Sequence, residues 1–363
     1  MTRKFRLGQS REAQDLDSRD VYAREGKSAS KRRQQSAERL QTDIESHDSD
    51  GMLALPDAAP WLHLPEGILT QRHSQIVDIE TEDRSQIRAT LSGKLKGVKL
   101  VVGDRVRYSV VPIEAMDPSL PTCQVVAVSP RRTLLKRGGI DDREPWQLMC
   151  ANADEIWVCA AVVDPPLRPG LLERAQILAL AAGLGFRVIV TKRDKASPKD
   201  TLPELDPLRE QDVPIHETSA ETAQGIGDLL ELLKDKVVVL IGHSGVGKST
   251  LINALLPGSR IKTGDMSRYG TGRQTTTSAQ WIPVPGFGTL IDTPGIRALS
   301  VRGFDRGLLA HVFPEFPPEW LEDPMALDPE DEELGLDYPE RLSSLQRLWL
   351  EMEERNPNQN VFR

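Results

Sequence analysis

One stretch decides the fold of this chain: Gly242-His243-Ser244-Gly245-Val246-Gly247-Lys248-Ser249-Thr250. An apolar run, Val237 to Ile241, precedes it, and a second run, Leu251 to Leu256, follows it. Read as strand, loop and helix, the pattern predicts a phosphate-binding P-loop in its required context. The glycines let the backbone turn tightly, and the N–H groups of the loop and of the new helix then point at the anion. We therefore expect the whole stretch to bind a nucleotide.

Two side chains of this stretch have predicted chemical roles. Lys248 carries a mobile positive charge that can reach the β- and γ-phosphates. The hydroxyl group of Ser249 is the expected Mg²⁺ ligand, because Mg²⁺ takes oxygen ligands. A chance glycine-rich turn, the alternative, would not bring the strand, the Lys-Ser pair and the helix with it.

A second motif lies upstream of the P-loop and reads Thr191-Lys192-Arg193-Asp194. It follows an apolar strand pattern and resembles the guanine-reading motif of GTPases. The carboxylate of Asp194 can accept from both N1–H and the exocyclic amine of guanine, whereas adenine would leave it unpaired. Alone, the motif could also be a strand followed by a charged turn. Ser219 and Ala220 follow at the expected place of the second guanine-contacting loop.

Two further motifs lie downstream of the P-loop. Residues 272–277, Gly-Arg-Gln-Thr-Thr-Thr, are rich in Gly and Thr without periodicity, as expected of a switch loop. We expect one of Thr275, Thr276 and Thr277 to complete Mg²⁺ coordination, and we favour Thr276. Asp292 and Gly295 belong to a D-x-x-G motif, in which the Asp orders Mg²⁺ through water and the Gly N–H meets the γ-phosphate. Most GTPases have the P-loop first and the base-reading motifs last. The reverse order here indicates a circular permutation, which a compact domain with neighbouring termini permits.

Length, composition and charge limit the number of domains and the classes of function that the chain can have. The chain has 363 residues and a formal net charge of −8, which suggests two or three domains and no overall bias towards nucleic acid. No apolar run reaches the roughly 18 residues of a membrane helix, and the amino terminus lacks a secretory signal. Three cysteines, Cys123, Cys150 and Cys159, are too few and too scattered for a metal site. We expect buried thiols and a reducing, cytoplasmic location.

Differences in composition and residue pattern divide the chain into four predicted parts. Residues 1–60 are charged and poor in aromatics, which predicts disorder. Residues 61–137 contain short strand patterns, at Ile76–Ile79, Gln86–Leu91, Leu100–Val102 with Asp104–Tyr108, and Cys123–Val128, and predict a small β-barrel of the OB-fold type. Residues 138–300 predict an α/β domain, the permuted GTPase, and residues 301–363 an acidic, helical segment.

Basic residues are spread over the predicted barrel and the stretch after it. They are Arg88, Lys94, Lys96, Lys99, Arg105, Arg107, Arg131, Arg132, Lys136 and Arg137. A basic face on an OB-type barrel often holds single-stranded or irregular RNA. An ordinary soluble barrel with solvated charges fits these residues equally well, so both interpretations stay open at this point.

The permuted order behind a small barrel resembles the ribosome small-subunit-dependent GTPase family (RsgA type). Further matching stretches are Val102–Val106, Ala151–Asp154, Leu255–Gly258, Asp292–Arg297 and Phe313–Phe316. The resemblance implies an OB-fold, a GTPase domain that uses GTP, GDP and Mg²⁺, and a role in late maturation of the 30S subunit. It also implies contact with 16S rRNA and GTP hydrolysis stimulated by the ribosome. We expect a monomer.

The sequence departs from the family pattern at two places. Gln274 replaces the His of the family's switch motif, and a carboxamide can take over the handling of water because it both donates and accepts. We therefore expect Lys248, Gln274 and Gly295 to carry catalysis. The family also carries a carboxy-terminal zinc knuckle, but no Cys follows Cys159, so we predict no bound zinc.

Three rival functions remain compatible with the residues. One is a P-loop ATPase or kinase, which Asp194 disfavours. Another is an RNA-binding assembly factor that uses GTP only as a structural ligand. The third is a permuted GTPase acting on a different RNA, because the zinc knuckle is missing.

Overall fold

The computed structural model describes residues 61–95, 97–110, 122–139, 144–197, 199–256, 279–293, 299–331, 334 and 339–353. All of them belong to one compact unit, Met52–Arg363. The predicted amino-terminal tail, the switch stretch 272–277 and Gly295 lie outside the described residues.

The first five strands form a closed barrel. They are β1 Glu66–His73, β2 Ile76–Thr81, β3 Gln86–Leu91, β4 Arg105–Val110 and β5 Cys123–Val128. Their order is β1-β2-β3-β5-β4, with β3 and β5 parallel and the other pairs antiparallel. Apolar side chains such as Val77, Ile79 and Val125 fill the interior. This OB-like barrel agrees with the predicted fold class.

One strand expected in the barrel region is absent from the structure, and one strand was not expected. Leu100–Val102 is not a strand, since only Val102 forms an isolated bridge, to Cys150. The backbone turns here instead, because the N–H of Val101 donates to Asp104 Oδ2 at 2.9 Å. Strand β1 was not predicted, because the buried positions of Glu66–His73 include Gly67 and Thr70 beside Leu69.

A separate hairpin follows the barrel. Its strands, β6 Leu134–Gly138 and β7 Trp146–Ala151, pair antiparallel and lie on both sides of the predicted boundary between residues 137 and 138. The N–H of Ala151 donates to Val102 O at 2.9 Å, which ties the end of the hairpin to the barrel.

Six strands form the central sheet. They are β8 Glu155–Ala161, β9 Gly185–Thr191, β10 Ile215–Glu217, β11 Val237–Ile241, β12 Gln280–Pro283 and β13 Thr289–Asp292. The order is β10-β9-β8-β11-β13-β12, and all neighbours run parallel except β12 and β13. Strand β8 is buried along its whole length, as its continuous apolar run predicted.

The described helices pack around this sheet. They are α1 Pro169–Ala182, α2 Asp206–Glu210, α3 Ile226–Leu233, α4 Lys248–Leu255, α5 Leu309–Val312, α6 Pro318–Glu322 and α7 Pro339–Glu353. Short 3₁₀ turns are Gly93–Leu95, Arg193–Lys195, Pro203–Leu205, Arg306–Leu308 and Pro324–Ala326. Helix α1 ends at Gly183, whose N–H returns to the carbonyl groups of the last turn. Among the described residues, no helix has both the length and the apolarity needed to traverse a bilayer.

Helix α7 packs against α1 with a leucine face. Leu342, Leu345 and Leu348 are buried, whereas Leu350, another apolar position of this helix, is exposed. Arg174 of α1 pairs with Glu351 at 2.7 Å, and Glu351 also accepts from the N–H of Val301 at 2.9 Å. The helical carboxy-terminal segment is therefore fixed to the α/β domain by apolar packing and by ion pairs.

Candidate nucleotide-binding site

The carboxyl edge of the central sheet collects the motifs that the sequence singled out. Strand β9 ends at Thr191, β10 at Glu217, β11 at Ile241 and β13 at Asp292. Because these strands are parallel, the loops after them emerge at one edge, where ligands of open α/β sheets bind. The fold thus brings together residues that are about 100 positions apart in the chain.

The P-loop closes around its own lysine. Lys248 Nζ donates to the carbonyl oxygens of Gly242 at 2.7 Å and of His243 at 3.4 Å. Gly247, with a φ of +100°, starts helix α4. A side chain at position 242 would place its Cβ 2.8 Å from the carbonyl oxygen of Cys159, so the loop needs glycine there. Lys248 therefore lies at the centre of the loop, as its predicted role requires.

The other P-loop residues differ in how far their side chains are exposed to solvent. Val246 is buried and packs into the core, so its side chain supports the loop and only its backbone is left to face a ligand. Ser244, Gly245 and Thr250 are exposed, and Ser249 is half-buried in the first turn of α4. Direct nucleotide contacts by these residues stay predictions.

The base-reading motif lies directly against the P-loop. The hydroxyl group of Thr191 donates to the carbonyl oxygens of Val246 and, at 3.2 Å, of Ala160. A Cβ at Gly247 would lie 3.8 Å from Lys192 Cε, which places the lysine stem over the same glycine. Two motifs that are 55 residues apart in the chain are therefore in direct contact.

Asp194 is held by the second base-reading loop. Ser219 Oγ donates to Asp194 Oδ1 at 2.6 Å, and Ser219 Oγ accepts from the N–H of Thr222 at 3.1 Å. Ser219 is fully buried and the neighbouring Ala220 is half-buried. Asp194 itself is exposed, so its carboxylate is oriented by Ser219 and remains open to a base.

Asp292 is the buried carboxylate of the site. It is 2% exposed, and its Oδ1 has no hydrogen-bond partner among the described residues. Burial raises the pKa of Asp292, and the nearby charge of Lys248 opposes that shift. An unpaired buried carboxylate oxygen beside phosphate-binding residues fits a Mg²⁺ site, because Mg²⁺ prefers such oxygens. The predicted partners Thr276, Gln274 and Gly295 lie outside the described residues.

One wall of the site was missed by the sequence analysis. The loop between β8 and α1 reads Val-Val-Asp-Pro-Pro-Leu-Arg over residues 162–168. Lys192 Nζ donates to the carbonyl oxygen of Asp164 at 2.6 Å, and Pro165 approaches Gly245 of the P-loop. The available signal was the position of these prolines directly after a buried strand, since loops at that edge form ligand sites.

The basic residues near the barrel are largely paired with acids. Arg131 is buried and bonds both oxygens of the fully buried Asp104, at 2.7 and 3.0 Å, so it cannot form part of an RNA-binding face. The other ion pairs are Arg88 with Asp78, Arg105 and Arg107 with Glu66, Lys99 with Glu144, and Arg132 with Asp154. Lys94 has no such partner among the described residues.

The P-loop, the guanine-reading loops joined to it and the order of these motifs define a circularly permuted P-loop GTPase. A family model described as RsgA GTPase matches residues 128–302. The small ribosomal subunit biogenesis GTPase RsgA of Gemmatimonas aurantiaca is 33% identical over 258 residues, which are 69% of this chain and 82% of that relative. The relative of the same name from Chlorobaculum parvum is 34% identical, over 69% of this chain and 83% of its own length. The chain therefore belongs to the RsgA GTPase family and is a GTP-hydrolysing enzyme.

Solved structures agree with this assignment. The crystal structure of YjeQ from Thermotoga maritima has a TM-score of 0.56 at 26% identity, covering 80% of this chain and 99% of that one. The structure of YloQ, a circularly permuted GTPase, has a TM-score of 0.53 at 20% identity, covering 83% and 99%. The second likeness supports the fold, including the permutation.

Proposed function

We propose that this chain hydrolyses GTP to GDP and phosphate in the late maturation of the small (30S) ribosomal subunit. The observation that carries the proposal is the contact of Thr191 with the P-loop carbonyl of Val246. It joins a base-reading motif to a phosphate cradle in the permuted order of a family whose relatives are named for small-subunit biogenesis.

The residues of the site divide the work as follows. Asp194, oriented by Ser219, recognises the guanine edge, with Thr191, Lys192 and Ala220 beside it.

The P-loop N–H groups and Lys248 bind the phosphates. Ser249, Thr276 and Asp292 would hold Mg²⁺, Asp292 through water, and the bound ion would neutralise charge on the phosphates. Gln274 orients the attacking water, and the Gly295 N–H meets the γ-phosphate. Catalysis then rests on positioning and electrostatics.

Partners and location follow from the family and the composition. We infer that the protein binds the 30S subunit through 16S rRNA, acts as a cytoplasmic monomer with no membrane as a partner, and holds no zinc. The relatives' printed names support the ribosomal partner. The lack of any Cys after Cys159 supports the inference about zinc, and metal analysis of the purified protein tests it.

The deciding experiment measures phosphate release from GTP with and without 30S subunits, at several salt concentrations because backbone contacts to RNA weaken with salt. We expect slow intrinsic turnover and clear stimulation by 30S subunits that falls as salt rises. A protein that binds GTP but shows no stimulated release would be an assembly factor that uses GTP only as a ligand. Unchanged stimulated turnover in Gln274→Ala would remove that residue from catalysis.

A further inference from the structure

The loop between β8 and α1, residues 162–168, forms the side of the P-loop that no motif predicted. It starts at the carboxyl end of β8, the strand between β9 and β11 in the sheet. Lys192 Nζ binds its Asp164 carbonyl at 2.6 Å. Pro165 Cδ lies 3.8 Å from the Cβ that a side chain at Gly245 would carry. The loop therefore contacts the base-reading motif on one side and the phosphate loop on the other.

This loop carries a single cation, Arg168, at its end. Pro165 and Pro166 restrict the backbone, and Leu167, only 9% exposed, anchors the loop in the core. Arg168 is exposed and follows Pro165 by three residues, so their Cα atoms are at most about 11 Å apart. The backbone of Arg168 is thus held near the P-loop while its side chain is left in solvent.

The charge of Arg168 affects the pKa of a residue in the P-loop. Burial lowers the pKa of His243, the second residue of the loop, and the charges of Arg168 and Lys248 lower it further. The Nε2 atom of His243 is buried without a hydrogen-bond partner in the described part of the chain. Arg168 and Lys248 therefore both act electrostatically on the same residue of the phosphate loop.

Arg168 also differs in its pairing from arginines of the neighbouring elements α1 and β9 and of the turn after β9. Arg174 is paired with Glu351, Arg187 with Glu155 and Arg193 with Glu217. Across the described ranges, no carboxylate lies within ion-pair distance of Arg168. An unpaired arginine next to an anion site is available for the anion, and its guanidinium fork suits phosphate oxygens.

We propose that Arg168 is a further substrate-contacting residue, whose guanidinium group binds the terminal phosphates of GTP from the side of the β8–α1 loop. It supplies from within the chain a second cation beside Lys248 and makes the site prefer triphosphate over diphosphate. The proposal goes beyond the ribosomal function, because it concerns nucleotide recognition by the protein alone.

The test compares the affinities of purified variants for mant-GMPPNP, a non-hydrolysable GTP analogue, and for mant-GDP, with Mg²⁺ and without ribosomes. Loss of a charge-assisted contact should weaken mant-GMPPNP binding to Arg168→Ala by about 10-fold or more, and mant-GDP binding by less than about threefold. Arg168→Lys should fall between Arg168→Ala and the wild type. Lys234→Ala is the matched control. It removes one exposed positive charge at the end of α3, at the opposite edge of the sheet, and should leave both affinities unchanged.

Two results would overturn the proposal. One is an Arg168→Ala variant whose affinities for both nucleotides equal those of the wild type. The other is an equal loss for both nucleotides, which would show that Arg168 only supports the loop. If wild-type protein lacks 30S stimulation, the ribosomal function fails while these affinities still decide the role of Arg168.

Discussion

Ser219 fixes one oxygen of Asp194 with a hydrogen bond of 2.6 Å, and no donor among the described residues reaches the other oxygen. This arrangement orients the carboxylate without consuming its capacity to accept. The two donors on the edge of guanine need such a double acceptor, whereas the N1 acceptor of adenine would face it without a proton. We therefore propose that the choice of nucleotide depends on Asp194 and on the buried Ser219 that orients it.

The first prediction concerns the substitution Asp194→Asn. It should weaken mant-GTP binding at least ~100-fold, because two charge-assisted hydrogen bonds to guanine are lost. It should also let mant-XTP bind, since the new amide group can donate to the carbonyl oxygen of xanthine. Fluorescence titration with both nucleotides checks this. The control Asp212→Asn changes the charge equally at an exposed position and should bind GTP normally. Normal GTP binding by Asp194→Asn would contradict the assigned role.

Individual residues also show where sequence reasoning ends. The P-loop and Asp194 could be predicted because their chemistry depends on residue type and spacing within a short stretch. The burial of Arg131 could not, because its partner Asp104 lies 27 residues away and charge alone does not report exposure. Arg168 and Asp164 were missed for a related reason, since their loop gains meaning only when the fold places it beside Gly245.

Among the secondary-structure elements, the strands with continuous apolar runs could be predicted from the sequence. The very short strands and those of mixed polarity could not. Strands β8 and β11 have continuous apolar runs, and both form as expected. Strand β10 has only three residues, Ile215–Glu217, and exists because it pairs with β9. Strands β6 and β7 mix basic, polar and apolar residues, so neither has a clear strand pattern. They form strands because they pair with each other. Tertiary context decides such cases.

Besides its leucine face and the Arg174–Glu351 pair, helix α7 is attached to the α/β domain by a buried arginine. Arg341 is 5% exposed and donates to Glu315 at 2.7 Å, to Glu173 of α1 at 3.3 Å and to the Val312 carbonyl at 2.6 Å. Its guanidinium group also lies 4.4 Å from the ring centre of Phe313. The acids it contacts come from two different segments, so the helix position depends on this residue.

The second prediction is that Arg341→Ala lowers the free energy of unfolding by about 3–5 kcal/mol, because it leaves Glu315, Glu173 and the Val312 carbonyl without the donor that they share. Urea unfolding checks this. Arg347→Ala is a matched control on the same helix, since Arg347 is exposed and Ser344 is the one described residue that its side chain bonds. Its effect should stay within about 0.5 kcal/mol. Equal effects of the two substitutions would show that the buried arginine does not fasten the helix.

The third prediction concerns the pH dependence of stability. Burial raises the pKa of Glu173 from its usual 4.5 to about 7, although Arg341 and Arg174 oppose the shift. The folded protein therefore holds a proton that the unfolded chain releases near pH 4.5. The resulting stabilisation is complete below that pH and is lost as pH rises through 7. Between pH 5 and 8 the loss should reach roughly 1–3 kcal/mol.

Urea unfolding at pH 5 and pH 8 measures this loss. Glu173→Gln, which cannot titrate, should show a smaller decline in the free energy of unfolding than the wild type. If the variant and the wild type decline by the same amount, the pH dependence arises elsewhere.

For the whole molecule, circular permutation changes the order of the motifs but leaves their places in the sheet intact. The base-reading strand β9 and the P-loop strand β11 lie on either side of β8, whichever is encoded first. Motif order and chemistry therefore predicted the class of protein. The segments between the motifs, such as the β6–β7 hairpin and the β8–α1 loop, were not predicted. The same order leaves the barrel joined to the sheet through β6, β7 and the turn into β8.

That junction depends on a close backbone approach. Asn152 donates through Nδ2 to the Gly103 carbonyl at 2.8 Å and accepts from the N–H of Arg132 at 2.7 Å. Gly103 precedes β4 in the barrel and has a φ of +90°, and a Cβ there would lie 2.1 Å from the carbonyl oxygen of Ala151. A backbone atom cannot move aside as the end of a side chain can, so glycine is required where the barrel meets the hairpin.

The fourth prediction compares Gly103→Ala with Gly97→Ala. Gly97 also has a positive φ, +103°, but a Cβ there would meet no atom within 4 Å. Both substitutions carry the backbone cost of a positive φ, about 1–2 kcal/mol. Gly103→Ala should cost about 1–3 kcal/mol more, because it also forces the barrel away from Ala151. Chemical unfolding of the two variants measures the difference. Equal losses would mean that the close approach of Gly103 to Ala151 can relax without cost.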